Sequence, residues 1–91
     1  MEAVHRAGEN RFVIVLPEGD AVLDYHIRPS GEMDILSTVV PSAARGRGAG
    51  GQLVEAALAH ARRHDLRVVP SCWFVRTWVE QHQEHADLLV P

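Results

Sequence analysis

Four of the chain's seven glycines, Gly46, Gly48, Gly50 and Gly51, stand within six residues, between a β-branched run and an amphipathic one. Glycine costs stability inside regular structure, so this crowding needs a local reason. Anion binding supplies one. The first N–H groups of a helix lack partners and carry a partial positive charge, and glycines beside them let a phosphate approach the backbone. Arg45 and Arg47 flank the same glycines and can add charge-assisted hydrogen bonds. Cys72 is the only cysteine, which excludes an internal disulfide and any zinc site built from several thiolates.

The elements that must hold these residues follow from the apolar pattern. Arg11 to Leu16 (RFVIVL), Ala21 to Ile27 (AVLDYHI) and Met33 to Val40 (MDILSTVV) are strand-length runs rich in β-branched residues, separated by PEGD and RPSGE turns. A short strand around Ala3 to Arg6 precedes them, and together they predict an antiparallel meander. Leu53, Val54, Ala57, Leu58 and Ala61 then trace one helical face, which predicts a helix from Gly51. Arg62, Arg63 and His64 fall in its last turn, where positive charge suits the dipole. Leu66 to Cys72 reads as a further strand, parallel to its predecessor in a βαβ unit. Phe74, Val75, Trp78, Val79 and His82 predict a second helix, and HADLLV a helical turn leading to a tail. The fold class is therefore α/β with a mixed sheet.

Ninety-one residues make one domain, spanning 1–91. The net charge of −3 argues against a general nucleic-acid binder. All nine basic residues are arginine, so no side-chain amine exists for self-acylation. No apolar run approaches the ~18 residues of a membrane span and no signal peptide is visible, so a cytoplasmic location is expected.

Three phosphate-binding loops compete for the glycines. The nucleoside-triphosphatase loop needs a lysine, and there is none. The dinucleotide fingerprint G-x-G-x-x-G should open a parallel sheet, whereas GRGAGG follows a meander. The third pattern, [RQ]-x-x-G-x-[GA], is met by Arg45, Gly48 and Gly50 in the expected strand–loop–helix–strand context. On these residues, VVPSAARGRGAGGQLVEAALAHAR resembles the central motif of the GNAT superfamily of N-acetyltransferases. VVPSCWFV, from Val68 to Val75, and the final HADLL are similar to a small single-domain GNAT-like family with a cysteine after its fifth strand.

The resemblance implies a GNAT-like fold whose two strands splay apart beside the loop. It implies acetyl-CoA as co-substrate, with no metal. Val39 and Val40 would offer backbone groups to the pantetheine arm. Arg45, Gly46, Arg47, Gly48, Ala49 and Gly50 would surround the pyrophosphate. The implied reaction is transfer of an acyl group, most simply acetyl, to an amine. Two departures from the family matter. The usual acid is a tyrosine on the last helix, but the only tyrosine is Tyr25, in the meander. Cys72 stands near that place, where its thiol would serve as acid or nucleophile, or lie buried and inert. A family histidine–threonine pair is here Ser37 and Thr38, which leaves His26 on the neighbouring strand as a substitute base or a plain strand residue. An acyl-CoA binding or sensing module with little catalysis is the alternative, and a scaffold keeping only the fold is a third reading. The acidic balance would suit a basic peptide or polyamine as acceptor.

The remaining histidines and aromatics read as structural. His60 and His64, four apart on one helix, lack a third metal ligand and read as solvated, as do His82 and His85. Trp73, Phe74 and Trp78 read as core at helical spacing, with stacking on an adenine or aromatic substrate as the other reading.

Overall fold

The β-branched runs form a five-stranded sheet whose order follows the chain: β1 (Val4–Arg6), β2 (Arg11–Ile14), β3 (Ala21–Ile27), β4 (Met33–Val39) and β5 (Val68–Pro70). This computed structural model describes residues 1–90. The first four strands pair antiparallel. β5 pairs parallel to β4, from Met33 opposite Val68 to Ile35 opposite Pro70, after a crossover through helix α1 (Ala49–Arg63). Helix α2 (Trp73–Glu80) follows, and a 3₁₀ segment over Gln83–Leu88 closes the chain. The mixed α/β architecture is the expected one.

Several boundaries differ from expectation for local reasons. β2 ends at Ile14 because Leu16 already accepts the Gly19 N–H that closes the next turn. β5 is confined to Val68–Pro70, since Leu66 still donates back to the Ala61 carbonyl and Pro70 has no N–H to continue a ladder. α2 stops at Glu80, before His82. The largest difference is the start of α1. It begins at Ala49, so Gly50 and Gly51 lie in its first turn and not in the loop.

α1 lies across β2, β3 and β4. Leu53, Val54, Ala57, Leu58 and Ala61 are fully buried against Phe12, Ile14, Leu23 and Ile35. Burial of each leucine contributes about 2 kcal/mol. Gly50 and Gly51 have a packing reason. A Cβ on Gly50 would stand 2.9 Å from Cζ of Phe74, and one on Gly51 3.0 Å from Nε1 of Trp78. Phe74 and Trp78 stand one turn apart, so α2 seats its aromatic stripe on the bare backbone of α1.

β4 carries an extra residue: Asp24 faces Ser37 and Tyr25 faces Ile35, so Leu36 is bulged out. β5 ends at Pro70, while β4 runs on to Val39 without a neighbour on that side. The last link across is the Cys72 N–H, which donates to the Ile35 carbonyl at 2.8 Å. Beyond it the two chains part.

Candidate functional site

The gap left by that parting is a cleft of about 700 Å³. Its walls are Thr38 and Val39 of β4, Val40 just after it, the loop that follows, and the first residues of α2. A volume of this order suits a small-molecule ligand. The loop begins with a turn in which Ala44 donates to the Pro41 carbonyl at 2.9 Å. Gly46 at φ +91° and Gly48 at φ +83° then take left-handed backbone. A Cβ on either would meet nothing within 4 Å, so these two are glycine for conformation and not for space. Gly48 caps α1 with no side-chain acceptor, which leaves the first N–H groups of the helix free to face a ligand.

Of the residues singled out in the sequence, Val39, Val40, Arg45, Gly46, Gly48, Ala49 and Gly50 line the cleft. Arg47 does not. It is ion-paired with Glu18 in the turn between β2 and β3. Cys72 is also off the lining: it is buried at the N-cap of α2, with its Sγ 3.6 Å from Oγ1 of Thr38. Thr38 itself borders the cleft, so the partner of the thiol, and not the thiol, faces ligand space. It was legible only as the partner of Ser37, with nothing in sequence to join it to Cys72.

Tyr25 is far from this constellation in function. Its hydroxyl shares a 2.7 Å hydrogen bond with Nε2 of His5, and burial pushes its phenol pKa up. His26 is exposed on β3 and does not border the cleft. A buried carboxylate went unnoticed in the sequence. Asp34 on β4 is held through Oδ2 by Arg28 at 3.1 Å, while Oδ1 is buried without a partner. A lone aspartate inside an apolar strand gives no sequence signal of burial.

Three histidines read as solvated are not. His60 packs 4.4 Å from the His5 ring, 4.3 Å from His64 and 5.9 Å from Phe12. Burial, then the charges of neighbouring His64 and Arg63, lowers the pKa of His5. His60 is lowered by burial and by His5, His64 and Arg63. His82 stacks on Trp78 at 3.7 Å, and His85 reaches Glu55 at 3.5 Å. His64 is exposed. Among the described residues no group of three or more histidines, cysteines or carboxylates converges as a metal ion would require. Trp73, expected in the core, is 74% exposed at the cleft rim. Phe74 and Trp78 do pack against the core. No helix of the described residues is long and apolar enough to cross a membrane.

Comparison with known proteins converges on one family. The sequence model described as GCN5-related N-acetyl-transferase matches residues 11–88. Protein NATD1 of Bos taurus is 37% identical over 62 residues, covering 68% of this chain and 55% of that protein. Protein NATD1 of Homo sapiens is 36% identical over the same length, covering 68% and 55%. The chain thus spans about half the length of these curated relatives. The solution structure of a GCN5-like protein from Staphylococcus aureus, named there as an N-acetyltransferase candidate, superposes with a TM-score of 0.77. It is 30% identical, and the match covers 98% of this chain and 87% of that one. Splayed strands, a left-handed glycine loop and an uncapped helix start thus meet a match over most of the sequence, and the chain belongs to the GCN5-related N-acetyltransferase family.

Proposed function

We propose that this chain binds acetyl-CoA and transfers its acetyl group to an amine. The observation that carries this reading is the cleft between β4 and α2, closed at one end by Gly46, Gly48 and the free N–H groups of α1. That end fits a pyrophosphate, with Arg45 supplying charge. Val39 and Val40, on the side of β4 that β5 leaves unpaired, fit the amide groups of a pantetheine arm as an added strand would. The thioester then lies towards Thr38 and the buried Cys72 behind it. In this arrangement the thiol protonates the departing CoA thiolate or takes the acetyl group before the amine does. Acetyl leaves sulfur for nitrogen, and the amine's proton leaves to a base. Among the described residues the lining carries no aspartate or glutamate, so the acceptors it offers are backbone carbonyls and the Thr38 hydroxyl.

One observation favours a second reading. Neither Cys72 nor Tyr25 borders the cleft, as a proton donor to the thiolate would. An acyl-CoA binding or sensing module needs no such donor. Titration calorimetry with acetyl-CoA, followed by assay of CoA release with a panel of amines, tests both. Micromolar binding with amine-dependent CoA release supports the enzyme. Binding without release supports the module, and no binding at millimolar ligand overturns both.

A further inference from the structure

The glycine loop is tied to a distant part of the chain, and the tie removes one of its two cations from the cleft. Arg45 faces the cleft; Arg47, between two left-handed glycines, turns the other way and pairs with Glu18. Glu18 belongs to the turn between β2 and β3, where Gly19 donates to the Leu16 carbonyl at 3.0 Å. The same turn lies beside the start of the loop, since a Cβ placed on Gly19 would reach ordinary contact distance, 3.5 Å, from Cγ of Pro41. The Glu18 side chain is 22% exposed and that of Arg47 49%, so the pair lies at the surface with Glu18 the more covered partner.

We propose that Glu18 is a positioning residue of the acyl-CoA site and that Arg47 is its strut, not a ligand of the pyrophosphate. The inference rests on the acetyl-CoA reading above. Left-handed glycines are the most freely moving links a loop can contain, and an untied loop would lose much of its ordering entropy on each binding event. The Glu18–Arg47 pair fixes the loop between Gly46 and Gly48 before the ligand arrives. It also cancels a carboxylate that would otherwise repel a pyrophosphate.

CoA affinity, measured by titration calorimetry on the folded chain at low and high salt, tests this with Glu18→Gln, Arg47→Gln, the double variant and the charge swap Glu18→Arg/Arg47→Glu. The strut predicts that each single change weakens CoA binding about tenfold and that the double change is no worse than either. It predicts that the salt dependence stays that of the wild type, and that the swap regains most of the affinity. A purely structural pair would lower the melting temperature and leave affinity alone, which overturns the proposal. So does tighter binding by Glu18→Gln together with a swap that abolishes binding, because Arg47 would then be a phosphate ligand held back by Glu18. If the wild-type chain binds no CoA, the acetyl-CoA reading itself falls, and this inference with it.

Discussion

The Sγ of Cys72 and the Oγ1 of Thr38 lie 3.6 Å apart, across the line where β4 and the start of α2 separate. The hydroxyl borders the cleft and the thiol lies behind it. Thr38 is therefore the side chain through which the Cys72 thiol is hydrogen-bonded to the cleft wall. Cys72→Ala is expected to lower turnover at least a hundredfold while CoA affinity stays within twofold, the scale of a lost proton donor. Thr38→Val, which keeps the shape, is expected to lower turnover about tenfold. Steady-state assay and calorimetry on the same preparations measure both.

Gly50 and Gly51 make a separate claim. Alanine is the better helix former by about 1 kcal/mol, so an exposed glycine replaced by alanine in a helix would gain stability. At Gly50 the added carbon would meet the Phe74 ring at 2.9 Å, and Gly50→Ala is expected to cost about 1–2 kcal/mol net. In a domain of this size that is a fall in melting temperature of about 5–10 °C. Phe74→Leu in the Gly50→Ala background should recover part of the loss, and thermal unfolding of the three variants shows whether it does.

Gly48→Ala tests backbone conformation without a collision. At φ +83° an alanine is strained by about 1–2 kcal/mol, although space is open around it. The loop is expected to relax away from the left-handed region and CoA affinity to fall at least tenfold, with a fall in melting temperature smaller than that of Gly50→Ala because relaxation releases part of the strain. Gly8, whose φ is not positive and which also has open space, serves as the control position for calorimetry.

The histidine cluster sets a pH dependence. His5 and His60 are held below their ordinary pKa of 6.5 in the folded chain. Below pH 6.5 the unfolded chain takes up protons that the folded chain refuses, so stability falls as pH drops. Above about 6.5 both states are neutral at these rings and the contribution is complete. Urea unfolding at pH 7.5 and pH 5.5 is expected to show a lower midpoint at the acid value. His60→Phe, which removes one of the two imidazoles, should shrink that difference.

The meander and the crossover helix were legible because each rests on a local pattern, whereas Val39 and Val40 were named only through the family resemblance. Alternation and turn residues give strands, and a single apolar face gives α1. The glycine run was only half legible. Four glycines in six residues share one appearance but have two causes, left-handed backbone at Gly46 and Gly48 and aromatic contact at Gly50 and Gly51. The second cause lies on another helix, so the sequence placed the start of α1 too late. The same distance in sequence hid the pairing of Arg47 with Glu18, of Thr38 with Cys72, and of His60 with His5. Trp73 and Phe74 are neighbours of like character, and only the seating of α2 decides which one faces solvent.

The seat of Phe74 and Trp78 on Gly50 and Gly51 works as a key in a slot. A slot cut in bare backbone has no side chain that can flex to absorb error, so a carbon added at Gly50 or Gly51 would push the two helices apart. The helix bearing the key starts one residue after Cys72, and the helix bearing the slot starts one residue after Gly48. Phe74, Gly50 and Gly51 also line the cleft, so the joint forms part of its wall and a change there would be felt as a change in the spacing between Cys72 and the glycine loop.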